Sequence, residues 1–111
     1  MTTWVVTRHT GAIEWLKGSG VKADKVVTDL EINDPQKGDI IIGILPIQHV
    51  ATLNQRGVRY FHICLELLPQ DRAKELTAQQ MRERSAELVE YQAIRKNHDN
   101  NTETANHESI K

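Results

Sequence analysis

The sequence predicts a compact α/β domain, Rossmann-like, with a four-stranded, mainly parallel sheet, flanking helices and a longer C-terminal helix. Three observations lead there. Runs rich in β-branched residues recur at 3–8, 25–30, 40–45 and 58–67. Helix-like segments alternate with them, in the order βαββαβα, which favours a parallel sheet with helices on its faces. The third run, "IIIGIL", is apolar throughout, as in a strand covered on both sides.

The elements follow in chain order. "TWVVTR" is the first strand, and "GAIEWLKGSG" a short helix with Ala12, Ile13 and Leu16 on its apolar face. Gly18 or Gly20 supplies its left-handed stop. "KVVTDL" is the second strand. The turn-rich stretch 31–39 is too short for a crossover helix, so one strand has room to run antiparallel. Pro46 opens a second helix, where a missing N–H costs nothing. Ile47, Val50 and Ala51 share one side of it, and Gly57 closes it. "VRYFHICLEL" is the fourth strand. Thr77 and Gln80 then read as a capping box that starts a long helix reaching about residue 96, packed through Met81, Leu88 and Ile94. The single domain spans 1–97, and 98–111 reads as a disordered polar tail.

With 111 residues, one domain and one modest core are available. A formal net charge of −1 argues against long nucleic acid as a partner, yet allows a few basic groups in one pocket. The single Cys64 reads as a buried thiol and excludes an intrachain disulfide. No segment has the length and apolarity of a membrane span or a signal peptide, so the expectation is a cytoplasmic protein. No His or carboxylate pair has ligand spacing on one element, so no metal site and no cofactor are expected.

Ligands of open α/β sheets sit beyond the carboxyl ends of the strands. The corner "TRHTG" offers Thr7 and Thr10 hydroxyls, the Arg8 guanidinium, and Gly11 for close backbone approach at a helix N-terminus. That set suits a phosphate. It equally suits local structure, with Thr10 as an N-cap and Arg8 paired to Glu14 or Asp29. Arg8 dominates any anion affinity, because a charge-assisted hydrogen bond nets roughly 1.5–3 kcal/mol. The corner lacks the glycine pattern of a dinucleotide fingerprint and the lysine of a P-loop. At the second corner, Gly43, Gln48 and His49 face the same crevice if the first and third strands are neighbours. His49 is then a ligand contact, or else a solvated helix histidine. His62 alternates with Tyr60 and Cys64 in a strand and reads as a satisfied core histidine. Trp15 is a candidate for stacking on a base or for a dimer contact.

"TTWVVTRHTGAIEW", "GDIIIGILP" and "RGVRYFHICLEL", in that order and spacing, resemble a family of small CRISPR-associated accessory proteins of type III systems. The resemblance covers about residues 2–69. It implies a reduced relative of the CARF domain, a Rossmann-like homodimer that binds cyclic oligoadenylate. The implied activity is that of a ring nuclease, which opens cyclic tetra-adenylate and ends the antiviral signal. The resemblance falls on Thr7, Arg8, His9, Gly11 and Glu14, on Gly43, Leu45 and Pro46, and on Arg59, Tyr60 and His62. This chain has Thr10, Ile44 and Gln48 where the family often has Pro, Thr and Asn, so a hydroxyl at 44 is lost. His49 rests on the local reading alone.

The expected chemistry is attack of a ribose 2′-OH on its adjacent phosphate, giving a 2′,3′-cyclic phosphate and needing no metal. Arg8 is the expected stabiliser of charge, and His9 the expected proton-transfer group. Other readings remain open. A module of the same design could hold the ring without cutting it. "TRHTG" echoes the Arg-His-Gly corner of histidine phosphatases, but the second basic cluster of that fold is missing. A pure interaction domain would use both corners only as caps.

Overall fold

The alternation of side chains along the strands sets the layers. The structure, a computed structural model, describes residues 1–71 and 74–96. Its elements are β1 (Thr3–Val6), α1 (Thr10–Gly18), β2 (Lys25–Val27), β3 (Ile40–Gly43), α2 (Ile47–Gln55), β4 (Arg59–Cys64), a 3₁₀ turn (Pro69–Asp71), α3 (Ala78–Glu83) and β5 (Glu87–Tyr91). They form a five-stranded sheet in the order β2-β1-β3-β4-β5. The first four strands are parallel, and β5 pairs antiparallel with β4.

On one face, Val5, Ile42 and Ile63 bury against Ala12, Trp15 and Leu16 of α1 and Met81 of α3. On the other, Trp4, Ile41 and Tyr60 bury against Val50 and Leu53 of α2. Neighbouring residues of one strand therefore serve opposite cores, as a period of two requires. Each fully buried side chain of this size contributes roughly 1.5–3 kcal/mol.

Strand order positions the site. The crossover through α1 leads from β1 to one edge of the sheet, and the crossover through α2 leads from β3 toward the other. Right-handed crossovers running in opposite directions put their helices on opposite faces. A crevice then opens beyond the carboxyl ends of β1 and β3, where the direction reverses. The two corners singled out in the sequence flank that crevice.

Several expectations are corrected here. The strands are shorter than the apolar runs, and β2 has only three residues. Both β2 and β3 run parallel to β1, so the short connection does not reverse a strand. It returns across β1 as a loop of turns. Asp39 organises the loop by accepting hydrogen bonds from the backbone N–H groups of Gln36 and Thr2 and from Trp4 Nε1. These donors, Gln36 first, hold the Asp39 carboxyl below its ordinary pKa.

The largest correction concerns the C-terminal element. The capping box is present, with Gln80 N donating to Thr77 Oγ1 at 3.1 Å and Thr77 N to Gln80 Oε1 at 3.0 Å. The helix it opens stops at Glu83, and Ser85 takes φ 60°. Residues that were to continue the helix instead form β5, which covers the open edge of β4. Leu88 packs beside Ile63, as expected of a packing residue but in a strand, and Ile94 is exposed. Arg59 and Glu90 form a bidentate cross-strand pair at 2.8 and 2.9 Å. Trp15 lies in the core, which removes it as a stacking or dimer contact, and Cys64 is only half-buried. The polar segment 98–111 lies outside the described residues, as does residue 97.

Candidate functional site

At the first corner the chain leaves β1 and turns through Thr7 and Arg8 into α1. Thr7 Oγ1 accepts from His9 N at 3.1 Å and shapes the turn. The N-cap of α1 is His9, and no side chain caps this helix end. Thr10 is thus the first helical residue rather than the cap. Arg8 donates to Asp29 at 3.1 Å, one of the two partners open to it in the sequence. Both side chains are about two-thirds exposed or more, at 68% and 78%, so the pair is worth at most ~1 kcal/mol and exchanges readily. His9 Nδ1 lies 2.7 Å from a Glu75 carboxylate oxygen. A carboxylate can only accept, so Nδ1 carries the proton and Nε2 is left free.

Gly11 has a different job from the one expected. A Cβ at this position would overlap the Leu76 carbonyl oxygen. The clearance admits the chain's own backbone, which lets the segment before α3 lie against α1. Glu14 is exposed on α1 and lies outside the cleft described below.

The second corner is built around a buried hydroxyl. Tyr60, 1% exposed, donates to the Gly43 carbonyl at 3.0 Å and accepts from Leu45 N at 2.9 Å. Its oxygen also lies 2.6 Å from His62 Nδ1. Burial pushes the Tyr60 phenol pKa up, the Leu45 N–H only partly opposing it, so Tyr60 serves as a neutral hydrogen-bonding group. A Cβ on Gly43 would come within 2.8 Å of the Val6 carbonyl oxygen, so the ends of β1 and β3 meet closely only with glycine here. Pro46 is the N-cap of α2, again without a side-chain cap.

A third wall comes from the chain after β4. Asp71 is buried and takes Arg84 Nε and Nη2 at 2.6 and 2.9 Å, and its Oδ2 also accepts from Leu68 N at 2.8 Å. Arg84 first, then the Leu68 N–H, hold the Asp71 pKa at about 2. This clip fixes the segment that carries Lys74 and Glu75 to the mouth of the crevice.

The three walls enclose an open cleft of about 1390 Å³. Of the residues singled out in the sequence, Thr7, Arg8, His9, Leu45, Pro46 and His49 line it; Thr10, Gly11, Glu14, Gly43 and Gln48 do not. Gln48 is exposed on α2, and its carbonyl accepts from Thr52 Oγ1. His62 also lines the cleft, half-buried, where the sequence suggested a core histidine. Its place next to Tyr60 in a strand alternation was the available signal. Lys74 and Glu75 gave none, because the element that brings them there is a loop. Exposed Ile44, Ile47, Leu67 and Tyr91 complete an apolar rim.

The cleft can therefore offer a guanidinium, the three imidazoles of His9, His49 and His62, an ammonium and apolar surface to a ligand with anionic and apolar parts. Among the described residues, no helix is long and apolar enough to cross a membrane. No curated protein and no solved structure matches the chain. Residues 4–94 match the family described as "Putative CRISPR-associated protein (Cas_VVA1548)", and the chain belongs to that family.

Proposed function

We propose that this CRISPR-associated protein is a ring nuclease of type III systems that binds and opens a cyclic oligoadenylate, cyclic tetra-adenylate above all. The observation that carries the reading is the meeting of Arg8 and His9 with an apolar-rimmed cleft at the ends of β1 and β3. A CARF-like, Rossmann-like arrangement in the cytoplasm is the corresponding context. Phosphates are held by Arg8 and by two helix ends that no side chain caps, α1 and α2. Adenine rings lie on the apolar rim.

Cyclic tetra-adenylate has repeating symmetry, and a single small subunit covers only part of it. A two-fold homodimer, closed through the rim around Ile44 and Ile47, brings two Arg8 side chains to one ring. The reaction is in-line attack of a 2′-OH on phosphorus with loss of the 5′-oxygen. Alignment by the cleft supplies the proximity term. Arg8 stabilises the charge that develops on the phosphoryl oxygens. His9, oriented by Glu75, presents Nε2 for proton transfer.

Equimolar protein and labelled cyclic tetra-adenylate test this directly. Linear products ending in 2′,3′-cyclic phosphate are expected. Tight binding with an intact ring would make the protein a sponge. Failure to bind would leave both corners as structural caps.

A further inference from the structure

The proposed reaction moves two protons, and His9 accounts for one. The bond from 2′-O to phosphorus forms and the bond from phosphorus to 5′-O breaks. The 2′-OH must lose a proton, and the departing 5′-oxygen must gain one. A second proton-transfer group is therefore needed in the same cleft.

We propose that His62 is that group: a catalytic general base acting through Nε2, with Tyr60 as the residue that fixes its tautomer. The inference rests on the ring-nuclease reading. Its own support is the hydrogen-bond pattern around the Tyr60 hydroxyl. Leu45 N–H can only donate, and the Gly43 carbonyl can only accept. Tyr60 has one proton. When that proton goes to Gly43, the remaining lone pair of the hydroxyl faces His62 Nδ1 at 2.6 Å and must be met by an N–H. This arrangement satisfies all four groups. The reverse arrangement, with Tyr60 donating to Nδ1, makes one hydrogen bond fewer, because the Gly43 carbonyl keeps only its ladder partner and loses the Tyr60 O–H.

With Nδ1 protonated, Nε2 carries the lone pair. No protein group among the described residues takes it up, and the ring borders the cleft. The Tyr91 ring packs edge-on at 5.9 Å between centroids, and the Tyr60 ring at 5.8 Å, which limits rotation of the imidazole. When Nε2 takes the 2′-OH proton, Nδ1–H stays on Tyr60 and nothing rearranges. His9 enters the step as the imidazolium, keeps Nδ1–H on Glu75 and gives its Nε2 proton to the 5′-oxygen, and solvent restores both histidines.

The tautomer is readable in the wild-type protein without any activity. Long-range ¹H–¹⁵N spectra should show His62 as the Nδ1–H form, and Tyr60→Phe should shift it toward Nε2–H while slowing single-turnover cleavage more than it weakens binding. His62→Ala should cleave ~10²–10⁴-fold more slowly with ring affinity nearly unchanged, and added imidazole should restore part of the rate. A wild-type Nε2–H tautomer would overturn the assignment, even if His62→Ala failed to fold. So would wild-type cleavage by a folded His62→Ala protein. A wild-type protein that leaves the ring intact removes the ring-nuclease reading, and this assignment with it.

Discussion

At the end of β1, Arg8 and His9 stand in solvent, each held by one carboxylate in an exposed pair. At the end of β3, the Tyr60 hydroxyl is buried and joins Gly43, Leu45 and His62 in one network. The exposed corner can exchange partners at little cost, because solvent competes for every charge. The buried corner cannot, because each polar group there depends on a fixed neighbour. One corner is suited to capturing an anion and the other to holding geometry. They meet at one cleft because β1 and β3 are adjacent and their crossovers diverge.

The largest effects should come from breaking the exposed corner. His9→Ala is expected to lower the single-turnover rate of ring cleavage ~10²–10⁴-fold with affinity nearly unchanged. Arg8→Ala should weaken binding by about 1.5–3 kcal/mol and slow cleavage too. Dissociation constants and single-turnover rates for both variants separate capture from chemistry. If His9→Ala cleaves at the wild-type rate, the corner is a binding cradle that works by alignment alone.

Gly11→Ala comes next, and it tests where the exposed corner touches the rest of the fold. The new methyl meets the Leu76 carbonyl, which belongs to backbone and has no rotamer to escape into. Overpacking of this kind costs roughly 1–3 kcal/mol. Denaturant midpoints should fall accordingly. An unchanged midpoint would mean that the segment before α3 does not pack on α1 in solution.

Strong acid should loosen the third wall. The folded-state pKa of Asp71 is depressed from 3.8 to about 2. Its contribution to stability is therefore complete above about pH 4 and is lost as pH falls toward 2. Asp71→Asn should flatten that part of the stability–pH curve. An identical acid limb in the variant would show that the clip with Arg84 does not govern it.

The same contrast explains what the sequence could reveal. Val5, Ile41 and Ile42 announce a buried parallel sheet by apolarity alone, and both strand-to-helix corners follow from the element order. The stretch 84–91 does not announce a strand. It has no Gly or Pro to end the helix, and its favourable residues Glu87, Leu88 and Glu90 suit a helix as well. The edge of β4 decides between the two, and an edge is a tertiary fact that no local window contains. Gly11 and His62 show the same limit at the site. A glycine at a helix start reads alike whether a ligand or a carbonyl fills the space. A histidine beside a tyrosine in a strand reads as core until the cleft on its far side is known.

The smallest expected effect sharpens the contrast most directly, because it leaves every proposed ligand contact in place. Asp29 holds Arg8 at 3.1 Å in the free protein, and a phosphate must share or displace it. Asp29→Asn keeps the size of the side chain and removes its charge. Folding stability should change by less than ~1 kcal/mol, since both partners are largely exposed. Ring affinity should rise a few-fold at low salt, because one competing anion is gone. The gain should shrink as salt rises, because screening weakens exposed charges over distances of ~10 Å at 0.1 M. Titrations at two ionic strengths measure both effects. Affinity that falls in Asp29→Asn would show that Asp29 positions Arg8 for the phosphate instead of competing with it, and the exposed corner would then be preorganised like its buried neighbour.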